Sequence, residues 1–100
     1  MDRKLVWTER ASDDIEAIVR YIARRDPAAA ARMGFGIYDR VQILLQHPEA
    51  GTVLDELRDG GWRKVIFRRW KMVYTVRGEN IVIGRVWPAA LGEADFETPL

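Results

Sequence analysis

The chain has 100 residues, 48% of them hydrophobic and 31% charged, which suits one small domain with a single core and excludes two independent ones. It has no cysteine and one histidine, so disulfides and thiolate metal sites are excluded and a transition-metal site has almost no donors. The net charge of +1 is segregated: residues 1–61 carry −2, residues 62–87 carry +6 and residues 88–100 carry −3.

No stretch approaches the roughly 20 apolar residues of a membrane span. The opening MDRKLVWTER holds too short an apolar run for a signal peptide. A soluble, cytoplasmic protein with no membrane contact, no metal and no cofactor is therefore expected.

Leu5-Val6-Trp7 reads as a brief strand. Thr8 is placed as an N-cap, with Glu9 in the first turn, where the helix dipole favours an acid. Ala11, Ile15, Ile18, Val19 and Ile22 then recur at helical spacing, while Asp13, Asp14, Glu16, Arg20 and Arg24 fill the other side as a solvated face. Asp26-Pro27 predicts a break and a new start, because proline restricts the residue before it and suits the first helical position. In the second helix Met33, Ile37, Val41 and Leu44 make the core stripe, and the helix ends by His47-Pro48. Gly34 and Gly36 each cost about 1 kcal/mol relative to alanine in an exposed helix interior, which close helix-to-helix contact would offset. So tight a connection predicts an antiparallel helix hairpin. His47, at a helix C-terminus, reads as a dipole contact and not as a catalyst.

Residues 48–61 are a connection punctuated by Pro48, Gly51 and Gly60-Gly61, with Val53, Leu54 and Leu57 expected to pin it to the core. In Trp62 to Arg69, alternation sets Arg63, Val65, Phe67 and Arg69 against Trp62, Lys64, Ile66 and Arg68. In Lys71 to Arg77 it sets Met72, Tyr74 and Val76 against Lys71, Val73, Thr75 and Arg77. Gly78-Glu79-Asn80 supplies a turn, and Ile81 to Trp87 makes a third strand. The fold class is thus α+β in one domain spanning residues 1–100: an N-terminal strand, an antiparallel helix hairpin, then a three-stranded antiparallel meander that the first strand could extend to four. Residues 89–100 form an acidic tail, either disordered or lying over the basic sheet.

Function is sought in residues 62–76, WRKVIFRRWKMVYTV, which crowd cations and aromatics together without one acid. Such a field favours an anionic partner, either nucleic acid or an acidic protein segment. Basic strands with interleaved aromatics also suit a plain nucleic-acid-binding module.

The order of elements resembles the RelE/ParE superfamily of toxin components from prokaryotic toxin–antitoxin modules, and the likeness is closer to ParE. It is carried by Thr8-Glu9-Arg10-Ala11 leading to Asp14-Ile15 and Tyr21-Ile22, by Asp26-Pro27-Ala28-Ala29-Ala30, and by His47-Pro48-Glu49-Ala50-Gly51. Arg63, Arg69-Trp70-Lys71-Met72-Val73-Tyr74 and Ile83 followed by Arg85-Val86 complete it. The resemblance implies helices packed on one face of the sheet and a cationic groove open on the other. It implies a plasmid-stabilisation type of toxin that binds and inhibits DNA gyrase and is neutralised by a cognate, ParD-like antitoxin in a hetero-oligomer that reaches operator DNA through the antitoxin. The residues expected to meet the target or the antitoxin are Arg63, Arg69, Trp70, Lys71 and Arg85. RelE-like relatives instead cut messenger RNA on the ribosome, and in that alternative Arg85 and Tyr74 would be catalytic. Many relatives continue the last strand into a His-x-Arg segment, whereas Pro88-Ala89-Ala90 stand here, so the binding reading is preferred to a metal-independent endoribonuclease. A degenerate toxin that keeps antitoxin binding alone is the remaining alternative.

Overall fold

Two polar caps divide the first half of the chain. In the computed structural model, which describes residues 2–55 and 60–89, Thr8 Oγ1 accepts a hydrogen bond from the Ala11 amide at 3.1 Å and starts helix α1, Glu9–Ala23. Asp26 Oδ1 accepts from the Ala29 amide at 3.0 Å and, with Pro27 first in the helix, starts α2, Pro27–Gln42. A 3₁₀ turn at Ile43–Leu45 prolongs α2 towards His47. Both helices begin where the sequence places them, since a cap and a proline act over three or four residues and need no distant partner.

Two glycines of α2 face neighbours on different sides of the helix. A Cβ on Gly34 would touch Val19 Cγ2 of α1 at 3.4 Å, whereas one on Gly36 would overlap the ring of Phe67 in the sheet. Gly34 thus serves helix-to-helix contact, as expected, and Gly36 serves helix-to-sheet contact.

The strands are β1 Lys4–Trp7, β2 Thr52–Val53, β3 Arg63–Phe67, β4 Trp70–Arg77 and β5 Asn80–Pro88, in the sheet order β1-β5-β4-β3-β2. β3, β4 and β5 form the expected antiparallel meander, and β1 joins it in parallel to β5, from Lys4 opposite Asn80 to Trp7 opposite Ile83. The sheet is therefore mixed and five-stranded. The extra strand, β2, lies in the connection read as irregular; it pairs only Thr52 with Lys64 and Val53 with Arg63, too short a stretch for alternation to be visible. Thr8 also ties the layers together, since its hydroxyl donates to the Ile83 carbonyl at 2.9 Å.

Ile18, Ile37, Val41 and Leu44 cover one face of the sheet and bury Met72, Tyr74, Ile81 and Ile83 beneath them. A register shift lets both Ile83 and Val86 reach this core although they are three residues apart: Val73 pairs with Arg85 and Tyr74 with Ile83, leaving Gly84 as the extra residue of a bulge. The opposite face carries a smaller cluster, Leu54 and Val73 with Trp62 and Trp87 packed against it. Leu54 pins the connection as expected, Val53 is instead exposed on the outermost strand, and Leu57 and the acidic tail from residue 90 onward lie outside the described residues. No helix among the described residues is long and apolar enough to cross a membrane.

Candidate functional site

The site begins with Tyr74, fully buried at the centre of β4. Its hydroxyl accepts from the Gly51 amide at 2.9 Å and donates to the Pro48 carbonyl at 2.7 Å. Arg63, opposite Tyr74 on β3, donates from Nη1 to the Gly51 carbonyl at 2.8 Å. Together these two side chains fasten the loop from Pro48 to Gly51 against the edge of the sheet. Burial pushes the Tyr74 hydroxyl above its ordinary pKa of 10.0; the Gly51 amide and the Arg63 guanidinium oppose that shift, and Glu49 adds to it.

Arg85 is the second fixed cation. It is only 4% exposed, its Nε donates to Asp14 Oδ2 at 2.8 Å and its Nη2 to Asp14 Oδ1 at 3.3 Å. The same carboxylate accepts from the Val86 amide at 2.9 Å, and the guanidinium carbon lies 4.3 Å from the centre of the Trp87 ring. From within α1 the Asp14 carboxylate thus closes the part of the β5 edge that β1 does not reach. This corrects the reading of Asp14 as part of a solvated helix face. The spacing held the signal: Asp14 is three residues after Ala11 and four before Ile18, on the packed stripe itself.

Lys71 is 1% exposed, on the side of β4 opposite Met72 and Tyr74, and faces Trp87 across the strand pair. Trp70 pairs with Phe67 and packs half-buried on the main core, its indole N–H enclosed with no hydrogen-bond acceptor among the described residues. Arg69 sits in the exposed turn between β3 and β4. The single open cationic concavity anticipated from the sequence is therefore not what these residues form. Arg63 faces the helix side, Lys71 and Arg85 are enclosed on the other side, and Arg69 alone of the four is exposed. Strand alternation assigns a face but not its cover, and Asp14 and Trp87 reach Arg85 from parts of the chain that alternation does not connect.

A different surface stands open. Ile15 and Val19 of α1 with Ala31, Gly34, Phe35 and Tyr38 of α2 line an apolar groove of about 430 Å³ between the helices on the side away from the sheet. Phe35 is 72% and Tyr38 51% exposed, and Tyr38 stacks on Trp7 with ring centres 5.9 Å apart. Sequence reading set Tyr38 beside the core stripe and gave Phe35 no role, yet an apolar residue off that stripe was a legible sign of a second face. Among the described residues no group of three or more His, Asp or Glu is placed to hold a metal ion.

This architecture is that of small toxin domains of the RelE/ParE type. The chain is similar to a chain of the chromosomal ParDE toxin–antitoxin system of P. aeruginosa, at TM-score 0.75 and 23% identity over 86% of this chain and 95% of that one. It is similar to the YoeB/ParE toxin of Agrobacterium tumefaciens, at TM-score 0.60 and 26% identity over 85% and 96%. It is also similar to a chain of the RelBE2 toxin–antitoxin complex of Mycobacterium tuberculosis, at TM-score 0.56 and 22% identity over 88% and 99%. No curated protein matches it in sequence. The profile of the ParE toxin of the type II toxin–antitoxin system, parDE, matches residues 5–90, and the chain belongs to that family.

Proposed function

We propose that this ParE-family toxin acts by binding DNA gyrase, and that a cognate antitoxin neutralises it by laying an amphipathic helix into the groove between α1 and α2. Binding, as opposed to RNA cleavage, is supported above all by the engagement of Tyr74. Cleavage without a metal needs a group that moves a proton at working pH and a cation free to meet the phosphate. The Tyr74 hydroxyl is bonded on both sides by Gly51 and Pro48 and is a weaker acid than usual, while Arg85 is held by Asp14. Pro88 and Ala90 stand where many relatives carry the histidine and the arginine of a His-x-Arg segment.

The proposed contact set of Arg63, Arg69, Trp70, Lys71 and Arg85 then divides by role. Arg69 offers direct contact from its exposed turn, and the others shape the surface from within. The antitoxin reading is supported by Phe35 and Tyr38, large side chains exposed in a groove floored by the small Ala31 and Gly34, which matches the helix-in-groove mode of recognition. In such a hetero-oligomer the operator DNA is held through the antitoxin.

Purified protein added to a gyrase supercoiling assay is expected to inhibit it, and expression in growing cells is expected to arrest growth with induction of the DNA-damage response. Ribosome-dependent RNA cleavage that disappears in Tyr74→Phe would move the chain to the endoribonuclease reading. Soluble protein that arrests nothing but still captures its antitoxin would make it a degenerate toxin.

A further inference from the structure

We propose a second contact surface, independent of the gyrase reading: Arg32 and Arg40 of α2, with Arg68 of the β3–β4 turn, form a docking band for the phosphodiester backbone of duplex DNA. The three side chains come together through Phe67. The missing Cβ of Gly36 lets the Phe67 ring lie against α2, and the Arg68 guanidinium carbon sits 5.5 Å from the centre of that ring. Arg68 has a left-handed backbone, φ 55°, an unusual conformation for arginine. It shares a half-enclosed hollow with Ala29, Arg32, Met33 and Phe67. Arg40 joins from the far side, its Nε donating to the Ile66 carbonyl at 3.0 Å.

Positions 32, 36 and 40 make one stripe on α2, with Gly36 leaving room for the ring between the two arginines. Arg32 and Arg40 are eight residues apart, about 12 Å along the helix axis. That span matches phosphates about two steps apart on one DNA strand, where neighbours lie roughly 7 Å apart along the winding backbone.

Among the described residues no acid pairs with the charge on this band. Arg20 pairs with Glu16 and Arg85 with Asp14, and among the described residues no ion pair reaches Arg32, Arg40 or Arg68. Asp26, whose carboxylate caps the Ala29 amide, and the exposed Asp39 lie on the same helix and form no ion pair with the three.

Three features favour duplex DNA over other anions. A protein partner is normally anchored by an exposed apolar or aromatic centre, but here Phe67 and Met33 are half-buried and the exposed side chains are guanidinium groups. A single strand needs aromatic faces for its bases to stack on, and the one ring present lies between α2 and Arg68. Guanidinium groups spaced along a helix answer a regular row of phosphates, and contacts of that kind carry no sequence preference.

The test is fluorescence anisotropy of a labelled random-sequence DNA duplex with the full-length protein across a salt series. Wild-type protein is expected to bind at low salt with a log–log slope of about −3, for three phosphates neutralised. Arg32→Gln with Arg68→Gln is expected to weaken binding by at least about tenfold and to flatten the slope towards about −1. Arg20→Gln with Arg24→Gln removes the same charge from α1 and is expected to leave the slope unchanged. Arg32→Lys with Arg68→Lys is expected to keep most of the affinity, and unchanged circular dichroism and melting show that each variant is folded. Failure of wild-type protein to bind overturns the proposal, as does equal loss in the two glutamine pairs, or tighter binding of single-stranded DNA or duplex RNA.

Discussion

Tyr74 and Asp14 each satisfy groups that would otherwise be left bare. Tyr74→Phe keeps the buried ring but strips the Gly51 amide and the Pro48 carbonyl of their partner, an expected loss of about 1–3 kcal/mol in urea unfolding. The same variant reveals a pH effect. Because burial raises the folded-state pKa of Tyr74 above its unfolded value of 10.0, its contribution is complete below pH 10 and declines as pH climbs from there through the folded value. The stability gap between wild type and Tyr74→Phe should therefore be constant from neutral pH to about 10 and shrink above it. A gap that instead grows in alkali would contradict the assigned direction. Asp14→Ala leaves the Arg85 charge enclosed and the Val86 amide unmet, with an expected cost of about 3–5 kcal/mol; circular dichroism melting would register it.

Elements differ in how far their own residues decide them. Alanine at Gly34 places a methyl at ordinary contact distance from Val19 and removes a poor helix former, so Gly34→Ala should be neutral or stabilise by up to about 1 kcal/mol. Alanine at Gly36 gains the same propensity but must displace the Phe67 ring, and a net loss of about 1–2 kcal/mol is expected, read as a lower unfolding midpoint at unchanged m-value. The helices were legible because Thr8, Asp26 and Pro27 act locally, and β4 and β5 were legible because alternation and a glycine turn mark them. β2 was not, since two paired residues leave no pattern. The site was legible in residue type and illegible in placement: Arg63, Lys71 and Arg85 are cations near Tyr74, yet the Pro48–Gly51 loop, Trp87 and Asp14, which meet them, come from distant parts of the chain.

Across the whole molecule the two faces of the helix layer have different roles, one closing the core and the other open between α1 and α2. Phe35→Asp alters only the open one. Its melting should stay within about 0.5 kcal/mol of wild type, while co-purification with the antitoxin should weaken at least about tenfold. A variant that still holds its antitoxin fully would place the antitoxin elsewhere.

The parallel pairing of β1 with β5 sets a clock on the nascent chain. Among the described strands the first in the chain has its neighbour in the last, so Leu5 and Trp7 wait without a partner until Ile81 and Ile83 emerge. A chain that stops before β3 therefore has its two helices but no paired sheet beneath them, and the core closes only once β5 has been made.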